Sequence, residues 1–245
     1  MFDPRLEIEK RVAFIKNILT AAGASGLVYG NSGGKDSALV GILCKMACEN
    51  TIGIIMPCSS KRNYSEDAAD AMIVAEQFEI ETRTLDLTVT RSGLVNKLGE
   101  IVNLTDNAVF NLAPRLRMTA LYAVASAEGR LVAGTGNRSE GYMGYFTKWG
   151  DGAYDLNPIS DLTVTEIYDL LRFLNAPESI ISKAPSAGLF EGQSDESEMG
   201  ISYKNIDNFL LNGSVSEADR AIIERYHNAS EHKRKGPAVY GGTEC

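Results

Sequence analysis

The chain has 245 residues, 44% of them apolar, which suits one substantial core with a helical annex. Its 24 Lys and Arg against 32 Asp and Glu give a formal net charge of −8. That balance argues against a general nucleic-acid binder, which needs a basic footprint, but leaves room for a local basic cleft. Cys44, Cys48, Cys58 and Cys245 form no C-x-x-C pair and read as reduced thiols; the charged N-terminus has no apolar signal core and no long apolar run predicts a membrane span, so the expected compartment is the cytoplasm.

Residues 3–22 place Leu6, Val12, Ile15, Ile18 and Leu19 at helical spacing. A short apolar run, 27–30, reads as the first strand, 38–48 as a helix, and 52–56, stopped by Pro57, as a second strand. Residues 65–78 read as a helix and 81–87 as a third strand. A helix after Thr88 ends near Asn103, 108–127 is helical but interrupted at Pro114, and 130–134 is a buried strand closing on a glycine turn. This alternation predicts an α/β fold: a doubly wound parallel sheet, Rossmann-like, with helices on both faces. Beyond residue 155 the pattern predicts extra C-terminal helices at 161–174, 202–211 and 216–233, with a short turn at 178–182. Residues 190–200 and the tail from Lys235 read as mobile. With no internal repeat or linker, residues 1–245 are expected to form a single domain.

The densest chemistry lies at Gly30-Asn31-Ser32-Gly33-Gly34-Lys35-Asp36-Ser37, between the first strand and a helix. Glycines that let the backbone approach closely, free amides at a helix start and the Ser32 and Ser37 hydroxyls make an anion site. It is no Walker A loop, because Lys35 is followed by Asp36 rather than Ser or Thr, and no G-x-G-x-x-G fingerprint is present. Asp36 beside a phosphate calls for a divalent cation between them.

Four further clusters stand out. Arg115 and Arg117 are either solvated surface charge or a fork for phosphate or carboxylate. Gly134-Thr135-Gly136-Asn137-Arg138-Ser139-Glu140 follows the buried strand at the ligand edge of the sheet and is either an ordinary glycine-containing strand–helix turn or a site in which Thr135 can donate to a phosphate and Glu140 can ligate a metal. The aromatic, glycine-rich stretch from Gly144 to Asp155 offers Lys148 and Asp155 as charged candidates and Trp149 as a possible packing anchor. His232-Lys233-Arg234-Lys235 reads by itself as a basic helix end.

Together these residues carry a resemblance. Ser32-Gly33-Gly34-Lys35-Asp36-Ser37 resembles the S-G-G-x-D-S loop of the ATP pyrophosphatase superfamily. Asn111 to Met118, Gly134 to Glu140, Gly144 to Asp155, the late Pro185, Gly192, Gln193, Asp195, Glu196, Gly200, Tyr203 and Asp207, and His232-Lys233-Arg234 with Pro237 narrow it to the NAD synthetase family. The resemblance covers nearly the whole chain.

The family likeness implies a C–N ligase that amidates nicotinic acid adenine dinucleotide (deamido-NAD) with ammonia through an acyl-adenylate. ATP is the co-substrate and Mg2+ the cofactor; AMP and pyrophosphate are released, in the last step of NAD biosynthesis. It further implies that Gly30, Asn31, Ser32, Gly33, Gly34, Lys35, Asp36, Ser37, Thr135 and Ser186 bind ATP. Asp36 and Glu140 hold the metal, and Arg115, Lys148, Asp155, His232 and Lys233 hold deamido-NAD at a homodimer interface. Asp36 and Lys148 are the implied catalytic residues, with Asp151 the proton acceptor for ammonium.

The segment before the first strand is too short for a glutaminase domain of the amidase type, so free ammonia is the expected nitrogen source. Where the family carries a phosphate lysine this chain aligns Val164, and Lys35 or Lys183 is expected to supply that charge. A tRNA sulfur-transfer enzyme of the same superfamily would want a basic tRNA surface or a catalytic cysteine pair, and neither is seen; a non-catalytic nucleotide-binding protein is the other alternative.

Overall fold

A computed structural model describes residues 2–58, 65–183 and 194–240. Helix α1 (Pro4–Ala22) starts where Asp3 accepts from the Arg5 and Leu6 amides and Pro4 occupies the first turn; Gly23, at φ 60°, ends it. Then come β1 (Gly26–Gly30), α2 (Lys35–Ala47), β2 (Thr51–Ile55), α3 (Glu66–Gln77) and β3 (Glu81–Thr84). Three helices, α4 (Thr88–Gly99), α5 (Asp106–Phe110) and α6 (Leu112–Glu128), lead to β4 (Arg130–Ala133). Beyond it lie α7 (Arg138–Met143), α8 (Val164–Phe173), α9 (Glu178–Ile181), α10 (Asp195–Met199), α11 (Tyr203–Asn212), α12 (Glu217–Ala229) and α13 (Glu231–Arg234).

The strands are parallel, in the order β3-β2-β1-β4, with Val28 of β1 opposite both Ile52 and Val132. This is the doubly wound, Rossmann-like sheet that the alternation of elements predicts, with the additional C-terminal helices. The chain winds outward from β1 to β3, then returns to place β4 on the other side of β1. Connections therefore diverge between β1 and β4, and ligands in open α/β sheets bind in that crevice, at the carboxyl ends of the strands.

Strand alternation assigns the two faces. Leu27 and Tyr29 point toward α1, α2 and α8, joining Ile15, Leu39, Leu43, Ile167 and Leu170. Val28 points the other way, with Ile52, Ile54, Val132 and, from α6, Ala113 and Ala125. Fully burying one such side chain is worth about 2 kcal/mol. A side chain at Gly41 would overlap the Tyr29 phenol, so this glycine lets α2 sit close on the sheet. A third apolar cluster, with Met143, Val164, Met199, Tyr203, Ile206 and Ile223, ties the C-terminal helices together.

Besides β3 and α4, which end at Thr84 and Gly99 rather than at 87 and near 103, three boundaries depart from the sequence reading. Pro114 does not interrupt its helix: it stands in the first turn of α6, where no amide is required, and the break falls at Asn111. The 216–233 helix breaks at Ser230, whose hydroxyl donates to the Tyr226 and His227 carbonyls. Within 190–200, residues 195–199 form α10, while 190–193 lie outside the described residues. Among the described residues no helix is long and apolar enough to cross a membrane.

Candidate active site

The loop after β1 is anchored before it opens. The Asn31 amide extends the sheet by donating to Ile54 O at 2.9 Å, and its side chain donates to Ala71 O at 3.1 Å. Gly33 adopts φ 72°, and a side chain there would overlap the Asp67 carbonyl, so glycine is required on both counts. Gly34 offers no side chain to cap α2, which leaves the first-turn amides of the helix directed at the crevice. The Ser32 and Ser37 hydroxyls meet at 3.0 Å beside them.

The loop after β4 enters α7 through a capping box: Asn137 accepts from the Glu140 amide and Glu140 accepts from the Asn137 amide. The Asn137 side chain also donates to Asp36 Oδ1 at 3.0 Å, joining the two loops. Lys35, 6% exposed, reaches Asp36 Oδ2 at 2.6 Å and lies 5.6 Å from the centre of the Tyr203 ring. Burial lowers the affinity of the Lys35 ammonium for its proton, but Asp36 and Glu140 outweigh it and hold the group above the ordinary lysine value. Burial and the neighbouring Asp36 push Glu140 up to about 8. Asp36 and Glu140 thus offer hard oxygen donors in surroundings that favour a cation.

The opposite wall is built from the aromatic segment and the late helices. Lys233 Nζ donates to the Gly144 and Phe146 carbonyls at 2.8 and 2.9 Å, and half-burial lowers its proton affinity despite nearby Asp151. Asp151 is accessible from the cleft, yet the surrounding walls desolvate it and raise its proton affinity, against a hydrogen bond from the Thr147 amide at 3.0 Å. Thr147 Oγ1 in turn donates to Asn111. Tyr145 donates to Glu198 at 2.6 Å.

These parts enclose a cleft of about 860 Å³ lined by Gly30, Lys35, Asp36, Thr135, Glu140, Asp151 and Lys233 among others. A model of the NAD synthase family matches residues 7–237.

The chain belongs to the NAD synthase family.

It is 46% identical to an NH(3)-dependent NAD(+) synthetase of Carboxydothermus hydrogenoformans, over 94% of this chain and 95% of that protein. The structure of NMN synthetase from Francisella tularensis superposes with a TM-score of 0.93 at 36% identity, covering 99% of this chain and 100% of the other. An NH3-dependent NAD synthetase from Campylobacter jejuni gives 0.79 at 30% identity, covering 98% and 100%. Membership makes the protein a ligase of NAD biosynthesis that binds ATP and amidates through an acyl-adenylate.

Within this cleft the structure gathers Gly30, Asn31, Ser32, Gly34, Lys35, Asp36 and Ser37 from the first loop, with Thr135, Glu140, Asp151 and Lys233. Arg115, Lys148 and His232 lie outside its lining but join one another: Arg115 donates to Lys148 O, and Lys148 Nζ to His232 O at 2.6 Å. Asp155 is exposed and bonded to the Val132 amide and the Tyr122 hydroxyl, at the edge of β4. Trp149 is 51% exposed, with Lys148 above its ring, and is no packing anchor within the chain. Ser186 lies outside the described residues.

The cleft also contains residues to which the sequence reading gave no settled role. Arg117 is half-buried in the wall and donates to Met56 O, and burial lowers its proton affinity. Asp195 and Glu198 line the cleft from a segment that reads as mobile because of its acidic and small residues. Asn137 was visible as a member of its motif, but its partner was not. Lys183 Nζ is engaged by Asp67 at 2.8 Å, Asp70 at 2.6 Å and Gly33 O at 3.2 Å. Val164 is buried in the apolar cluster that includes Tyr203, with no ammonium of its own.

Proposed function

We propose that this single domain amidates nicotinic acid adenine dinucleotide with free ammonia, as a cytoplasmic homodimer using magnesium, and produces NAD, AMP and pyrophosphate. The observation that carries the reading is the meeting of the two loops at Asn137. It brings Asp36 and Glu140, 104 positions apart in sequence, to one side of a cleft whose other side carries Asp151 and Lys233.

In the first half-reaction the nicotinate carboxylate attacks the α-phosphorus of ATP and pyrophosphate leaves. A carboxylate is ionised at neutral pH, so no general base is required. The uncapped amides of α2 and the hydroxyls of Ser32 and Ser37 receive the departing pyrophosphate, and Thr135 orients the phosphate chain. Asp36 and Glu140 would hold magnesium, which when bound neutralises phosphate charge.

In the second half-reaction ammonia attacks the acyl carbonyl and AMP leaves. The attacking nitrogen sheds a proton, and Asp151, desolvated by the cleft walls, is the acceptor. The rim group of Arg115, Lys148 and His232, with Asp155 further along the same surface, would hold the second substrate. Exposure of Trp149, beside Lys148, and of Tyr154 supports a second copy covering that side.

The test is to supply ATP, magnesium and ammonium with either the dinucleotide or nicotinate mononucleotide, and to measure amidated product, AMP and pyrophosphate. Equimolar NAD, AMP and pyrophosphate from the dinucleotide supports the proposal. The high structural similarity to an NMN synthetase favours a second reading, in which the mononucleotide is the substrate; turnover of that compound alone would replace the first. Tight ATP binding without turnover would make the chain a non-catalytic nucleotide binder.

A further inference from the structure

We propose that Lys35 is an internal counter-ion for Asp36 and Glu140, which a divalent cation must displace, so that the cation binds tightly only together with ATP. The inference rests on the metal reading of Asp36 and Glu140 given above.

The geometry is specific to this side chain. Lys35 is the first residue of α2, and its buried ammonium lies 2.6 Å from Asp36 Oδ2. The other oxygen of Asp36 is held by Asn137, and the same residue's amide holds Glu140. The charged and titratable groups acting on the ammonium are Asp36, Glu140 and Tyr168, with the Tyr203 ring across from it. A cation held by Asp36 and Glu140 therefore shares Asp36 with a positive charge already seated there, and like charges at this range oppose one another strongly.

The second observation is what Lys35 lacks. An ammonium carries three donors, and among the described residues that of Lys35 has one hydrogen-bond partner, Asp36. Lys183, which also lines the cleft, fills its donors with Asp67, Asp70 and Gly33 O. Lys35 thus faces the cleft with unused donors. Phosphate oxygens of ATP are the acceptors that suit them, and a lysine drawn to phosphate releases Asp36 to the metal. Nucleotide and cation then strengthen each other's binding, by the same factor in each direction.

The experiment measures Mn2+ binding by the electron paramagnetic resonance of the free ion, with and without the non-hydrolysable α,β-methylene analogue of ATP. The wild-type protein is expected to bind Mn2+ weakly alone and more tightly, by about tenfold or more, with the analogue. Lys35→Met should tighten Mn2+ binding without nucleotide by about tenfold, weaken analogue binding by a similar factor, and shrink the coupling between them. Lys35→Arg, which keeps the charge, should leave Mn2+ binding without nucleotide weak, and Lys35→Gln serves if the methionine variant does not fold.

Unchanged or weaker Mn2+ binding in the uncharged variants overturns the proposal. Asp36→Asn separates the two levels. If it leaves Mn2+ affinity intact, the metal assignment itself fails and the counter-ion role with it; if it abolishes binding while Lys35→Met changes nothing, the counter-ion role alone fails.

Discussion

The side-chain amide of Asn137 donates to Asp36 Oδ1 at 3.0 Å, across 101 residues of chain. The same side chain caps α7 by accepting from the Glu140 amide, so one residue orients both proposed metal ligands. Asn137→Asp keeps a good helix cap but sets a carboxylate against Asp36; Asn137→Ser keeps a cap and loses the tie. Each should lower kcat/KM for ATP about ten- to hundredfold, with the Asp variant worse, a loss of about 1–3 kcal/mol. Steady-state kinetics with varied ATP check this, and circular dichroism should show an intact fold.

Asp207 does a structural version of the same work. Buried at 3% exposure, it accepts from the Ser139 hydroxyl at 2.6 Å and from the amide and hydroxyl of Thr165 at 2.7 and 2.6 Å, binding α11 to the first turns of α7 and α8. Asp207→Ala strands these donors and should destabilise the protein by about 2–4 kcal/mol, read from urea unfolding midpoints. Asp207→Asn, which keeps an acceptor, should fall between that variant and the wild type.

Placing a lysine at residue 164 should not improve ATP binding. Val164 is 4% exposed among Met143, Met199 and Ile206, so Val164→Lys buries an ammonium without a partner. A loss of about 2–4 kcal/mol is expected in chemical denaturation, with no gain in ATP affinity by calorimetry.

Asp151 sets stability against chemistry. Its carboxyl titrates above the ordinary 3.8 because the cleft walls desolvate it. The folded state therefore favours the protonated form; the stability this contributes is complete below the unfolded value and is lost as pH rises through the raised folded value. Asp151→Asn mimics the neutral form and should unfold at a higher temperature than wild type at neutral pH. The ammonia half-reaction should slow about 10²–10⁴-fold, while adenylate formation, followed by pyrophosphate exchange, should persist. At constant free ammonia the wild-type rate should fall as pH drops through the raised value.

The rim residues should separate the two substrates. Arg115→Ala and Lys148→Ala each remove a positive charge outside the cleft lining and should raise KM for the dinucleotide about tenfold while leaving KM for ATP within about twofold. Equal changes in both would place these residues in the ATP site instead.

Much of the site was legible in the linear order of residues. The loop from Gly30 to Ser37, which leaves a helix start uncapped, and the box from Asn137 to Glu140, which caps one, are local devices built from a few adjacent residues. Those residues announce themselves by spacing. The helix break at Asn111 was misplaced because proline is read as a breaker, although in a first turn it removes no bond. The cleft role of Asp195 and Glu198 was missed because an acidic segment with small residues looks solvated until α10 and Tyr145 give it partners.

The sequence by itself determined the strand and helix alternation, hence the sheet and its ligand edge, and the two loop motifs after β1 and β4, because each depends on periodicity or on residues within one turn of each other. Tertiary structure alone decided which lysine remains available and how the motifs meet. Lys183 is tied to Asp67 and Asp70, Lys35 is left facing the cleft, and Asn137 reaches Asp36. Contacts between residues a hundred positions apart leave no periodic trace in the chain, and they come into being only when β4 returns to lie beside β1.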